Sequence, residues 1–75
     1  MPHVIIKALP GKTAAQKQQI ADAITRSVSE IFGNEPDAIS VALEDVSAER
    51  WKDDVYVPDI VGRADTLLKP PGYQL

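Results

Sequence analysis

Proline stands directly behind the initiator methionine in MPHVIIKA, at the mouth of a run that reads as a β-strand. At a strand end proline is a modest defect, because it has no amide hydrogen to give a sheet. Freed of Met1, however, Pro2 carries a secondary amine, a rigid and basic nitrogen that no other residue type supplies at a chain terminus. An unperturbed α-amino group titrates at about 7.7–8.0, and poorly solvated surroundings disfavour its charged form. Neutrality near pH 7 therefore asks only for a modestly apolar site, at about 1.4 kcal/mol per pH unit. With Met1 retained, the same nitrogen is a tertiary amide with no usable lone pair. Pro2 is thus a candidate general base, conditional on removal of Met1.

A second candidate is Lys12 in PGKT, between a strand and a helix, where a phosphate-binding loop would sit. The loop pattern G-x-x-x-x-G-K-[ST] needs glycine at position 6, and Ile6 stands there, so nucleotide binding is set aside. Lys12 instead places a cation beside the positive end of a helix dipole, a mild repulsion that a bound anion would turn into two attractions. His3 borders the site or faces solvent. Asp53 and Asp54 read as a solvated turn, and Arg63 and Lys69 as helix surface.

The elements that must position these groups fit one small domain, residues 1–75. A chain of this length buries only about 60% of its unfolded surface, so reinforcement of its core is expected. With no cysteine and a single histidine, neither disulfides nor a structural metal can provide it. Tight packing or oligomerisation remains. The net charge of −3 and the scattered Lys and Arg leave no electrostatic footprint for nucleic acid or an anionic membrane. No apolar run approaches a membrane span of about 20 residues and no secretory layout opens the chain, so a cytoplasmic location is expected.

HVIIKAL, ended by PGK, reads as a strand over Pro2–Ala8, with Pro2, Val4, Ile6 and Ala8 on one face. Thr13 and Gln16 form a capping-box pattern at the start of a helix. Ile20, Ile24, Val28, Ile31 and Phe32 then give it one apolar stripe, and Gly33 closes it. ISVALED reads as a second strand, with Ile39, Val41 and Leu43 on one face. Strand, helix, strand is a βαβ unit with parallel strands and a right-handed crossover, an α/β fold. SAERWKDD reads as a short helical turn and VPDIVGRADTLL as a C-terminal helix, with Pro58 in its first turn and Gly62 a weak point inside it. Two strands leave both edges of the sheet open, and a sheet so narrow is rarely stable alone. A homodimer with a four-stranded sheet is the economical repair.

Taken together, the N-terminal MP, the strand, Lys12 before the first helix, the second strand after PDAISVALEDV and the aromatic in ERW resemble the 4-oxalocrotonate tautomerase family over the whole chain. MPH at one end and KPPGY at the other are most similar to its dimeric branch of phenylpyruvate-type keto-enol tautomerases; the glycine-rich C-terminal hairpin of hexameric members is replaced by a helix-like segment. The resemblance implies a homodimeric isomerase with Pro2 as its catalytic residue. Lys12 falls where hexameric members carry an arginine for the substrate carboxylate; the charge is kept but the planar fork is lost, so the grip should be looser. Ser40 occupies the position of a second family arginine, one that polarises the substrate carbonyl. Trp51 matches the aromatic lining the pocket, and its neighbour Arg50 is the candidate to supply the charge missing at Ser40.

In that reading one base accepts a proton and returns it two bonds away, so no metal or organic cofactor is needed. The substrate is a small 2-oxo or 2-hydroxy-enoate carboxylate, and the developing enolate leans on Lys12 and backbone amides. Without the resemblance, Trp51 would be read as packing at a dimer interface, where aromatics concentrate. The competing functional class is a non-catalytic dimer on the same fold that binds a small carboxylate or serves assembly, for which Ser40 in place of arginine is the supporting feature.

Overall fold

In a computed structural model describing residues 1–75, the chain begins with β1 (His3–Ala8), α1 (Ala14–Phe32), a 3-10 turn (Pro36–Ala38) and β2 (Ser40–Asp45). A short α2 (Ala48–Trp51) then continues directly into a π-helical segment (Lys52–Val61), followed by a second 3-10 turn (Ala64–Thr66). These elements fall into two compact units, Met1–Asp45 and Val46–Leu75.

The first unit is the expected βαβ. Its strands pair in parallel, from His3 opposite Ser40 to Ala8 opposite Asp45. Pro2 lies one residue outside β1, yet its carbonyl accepts the Ser40 N–H at 3.2 Å. The residue is thereby held to the sheet through the one backbone group a proline can offer. Alternation places Pro2, Val4 and Ile6 on the face that carries Val41 and Leu43, and His3 and Ile5 on the other with Ser40 and Ala42. Helix α1 covers the first face. Ile6, Val41 and Leu43 there meet Lys17, Ile20 and Ala21 around a cavity of about 280 Å³.

Both ends of α1 follow from local chemistry. The Thr13 hydroxyl accepts the Gln16 N–H at 3.1 Å, and the Gln16 side-chain oxygen accepts the Thr13 N–H at 2.9 Å, so two orphan amides are satisfied reciprocally. Gly33 stops the helix with φ 74° and ψ 20°. Its N–H reaches the Ser29 carbonyl at 3.0 Å. A side chain there would cost about 1–2 kcal/mol. Lys17 Nζ meets Asp45 Oδ2 at 3.0 Å and ties the start of α1 to the end of β2.

The apolar stripe of α1 has the expected period but not the expected cover. Ile24 and Val28 are half-buried, while Ile31 and Phe32 remain 79% and 68% exposed. Length explains this. The 19 residues of α1 extend about 28 Å at 1.5 Å each, whereas strands of six residues reach about 20 Å. The last turn of α1 overruns its platform, and no side chain of the first unit is fully buried.

In the second unit the helix begins earlier than the sequence pattern suggests and ends earlier too. It runs from Ala48 through Pro58 and stops at Gly62, so the expected helix over VPDIVGRADTLL is cut short and Ala64–Thr66 form a separate 3-10 turn. Proline inside an α-helix removes a hydrogen bond and strikes the carbonyl four residues back, at about 3 kcal/mol or more. The π register, closed i to i+5, moves that carbonyl off the ring's path. The closing bond is Gly62 N–H to the Val57 carbonyl at 2.8 Å. Val55, 5% exposed, anchors the unit. No helix of the protein is long and apolar enough to cross a membrane.

Candidate active site

The sheet register settles what surrounds Pro2. It is half-buried, held by its carbonyl to Ser40, and its nitrogen takes no part in the ladder. His3 and Ser40, directly opposite each other, share a hydrogen bond of 2.6 Å between Nδ1 and Oγ. By alternation this pair stands on the sheet face opposite Pro2. Ser40 therefore bears on Pro2 through its backbone N–H, and its hydroxyl is engaged with His3.

Lys12 is exposed, and its ammonium donates to the Leu9 carbonyl at 2.8 Å, closing its own turn. It is not committed to a carboxylate. The helix N-terminus beside it is partly satisfied by the Thr13 and Gln16 side chains, so Lys12 is the unshared charge at this corner of the unit.

Arg50 and Trp51 lie in the second unit. Arg50 makes a two-pronged contact with Asp54, Nη2 to Oδ1 at 2.7 Å and Nε to Oδ2 at 3.2 Å. Asp54 holds this guanidinium above its ordinary range, first by hydrogen bonding and then by charge. The pair is exposed on both sides, so it holds Arg50 only weakly. The i, i+4 spacing of Arg50 and Asp54 was the available signal for this pairing. Trp51 is half-buried, and its indole Nε1–H donates to the Tyr73 hydroxyl at 3.0 Å. Tyr73 also packs against Tyr56, ring centroids 5.8 Å apart and planes inclined by 33°. Neither tyrosine carried a role in the sequence reading. Their partnership depends on a helical register that no short motif announces. No group of three His, Asp or Glu side chains converges to hold a metal ion.

The fold is a parallel βαβ unit with Pro2 held by its carbonyl beside the first strand. In comparison with known proteins, the family model described as tautomerase enzyme matches residues 2–56. A probable tautomerase of Xylella fastidiosa is 41% identical over 73 residues, covering 97% of this chain and 89% of the relative. Tautomerase PptA of Pectobacterium atrosepticum is 39% identical over 74 residues, 97% of each chain. Tautomerase PptA of Cronobacter sakazakii is 36% identical over 76 aligned positions, the full length of both. The chain belongs to the tautomerase enzyme family, and its class is isomerase.

Proposed function

We propose that this tautomerase interconverts the keto and enol forms of a small 2-oxo carboxylate of the phenylpyruvate type, with the amine of Pro2 as acid and base after loss of Met1. The observation that carries this reading is the setting of Pro2: half-buried, fixed through its carbonyl to Ser40 N–H at 3.2 Å, with its nitrogen outside the ladder. A base that must accept a proton at oxygen and return it at carbon has to be held still without its lone pair being spent, and this anchorage meets both conditions.

Lys12 holds the carboxylate. Releasing its exposed bond to Leu9 costs little, since such a bond contributes about 0.5–1.5 kcal/mol net. Trp51 is assigned as the wall for the aryl group, and the clustering of Trp51, Tyr56 and Tyr73 within the second unit supports a substrate with an aromatic rather than a short alkyl substituent. The chemistry uses protein groups alone. The working form is a homodimer in the cytoplasm, in which a second copy pairs with an open sheet edge.

Ketonisation of the enol of phenylpyruvate, followed with mass-verified Met-free chain and with a chain bearing one extra residue ahead of Pro2, tests the base. Blocking should lower kcat about 10²–10⁴-fold, the usual contribution of a positioned general base. Equal rates would remove Pro2 from the mechanism.

A further inference from the structure

Tyr56 follows Trp51 by five positions, and in an α-helix at 3.6 residues per turn that spacing sets two side chains about 140° apart. The helix does not keep that register. Immediately after Trp51 it widens into the π-helical segment Lys52–Val61, whose i to i+5 closure stacks residues five apart on successive turns. A single ring from the C-terminal tail, Tyr73, consequently reaches both: it accepts the Trp51 indole N–H at 3.0 Å and lies 5.8 Å from the Tyr56 ring. Three of the four aromatic residues in the chain are gathered here.

From this geometry we propose that Tyr73 is a positioning residue for the reaction, and that the tail carrying it is a strap that fixes the plane of the Trp51 indole. The inference rests on the reading of Trp51 as the aryl-binding wall. The tail needs such a device. Residues Leu67–Leu75 form no helix or strand, their one backbone bond is at the start, from Leu67 N–H to the Ala64 carbonyl, and Tyr73 is 44% exposed, so neither a regular element nor deep burial holds the end of this stretch. What holds it at Tyr73 is one N–H···O bond and one ring contact. An indole spends its only donor in that bond, which selects one of its rotamers without using the ring face. A fixed wall binds an aryl group with less ordering cost than a mobile one.

Trp51 is the single tryptophan, so intrinsic fluorescence reports this side chain alone. The test compares Tyr73→Phe, which keeps the ring and deletes the oxygen, with Tyr73→Ala and with Trp51→Ala. Acrylamide quenching of Trp51 should rise about two-fold in Tyr73→Phe and more in Tyr73→Ala. KM for the enol of phenylpyruvate should rise about three- to ten-fold, with kcat within about two-fold, and Tyr73→Phe should add nothing to Trp51→Ala in a double-mutant cycle. Circular dichroism verifies that each variant is folded, and because Tyr73 is partly exposed Tyr73→Phe is the variant to rely on. Unchanged quenching in Tyr73→Phe overturns the proposal. So does changed quenching with unchanged KM when Trp51→Ala raises KM; that result leaves the aryl-wall reading intact. If Trp51→Ala leaves KM unchanged, the aryl wall itself falls and the strap's catalytic role with it, even where quenching shows that Tyr73 restrains the indole.

Discussion

The proposed chemistry depends on Pro2 and Lys12, and each makes a separable prediction. Lys12→Ala should raise KM for carboxylate substrates about ten-fold, because one charge-assisted hydrogen bond of about 1.5 kcal/mol is removed, and should leave kcat nearly unchanged. Lys12→Arg restores a cation with a planar fork and should recover or improve binding. Steady-state kinetics with the enol of phenylpyruvate distinguishes these outcomes. Ser40 shows how much a residue type alone leaves open. The resemblance puts it where the family carries an arginine; its hydroxyl is bonded to His3 on the sheet face opposite Pro2, and its backbone N–H meets the Pro2 carbonyl. The register decides this, and register is a property of paired strands that a single residue does not display.

At the level of elements, legibility tracked the range of the interactions. Thr13, Gln16 and Gly33 mark the two ends of α1 within a few residues of sequence, and their bonds form as the pattern requires. Thr13→Ala should cost about 1 kcal/mol, and Gly33→Ala about 1–2 kcal/mol, both measurable by urea unfolding. The second helix was harder to read, because Pro58 and Gly62 are ambiguous punctuation. Proline is at home in a first turn, but a π register also accommodates it in the interior. Gly62 read as a weak point inside a helix and is instead its end. An added Cβ would meet the Pro58 carbonyl oxygen at 2.8 Å and the Val57 carbonyl oxygen at 3.1 Å. Since both atoms are backbone, Gly62→Ala must shift the π segment, and a loss of about 1–3 kcal/mol is expected. The Trp51 fluorescence should change with it, because that register sets where Trp51 and Tyr56 stand.

Across the molecule, the parallel βαβ, the helical C-terminal segment and the enzyme class were all visible in residue order, whereas the distribution of exposed surface was not. The first unit leaves Ile5, Leu9, Ile20, Ile31 and Phe32 in contact with water and both sheet edges unpaired. A dimer answers both problems. Ile5 is 52% exposed, so Ile5→Lys should be mild for a chain standing alone. In a dimer that covers this face it should weaken association by at least ten-fold, which analytical ultracentrifugation would measure. Finally, the sheet has no stake in the first peptide bond. Met1 is fully exposed, and Pro2 is joined to the ladder through its carbonyl and not through the nitrogen that Met1 acylates. Precursor and trimmed chains should therefore melt at nearly the same temperature while differing greatly in turnover.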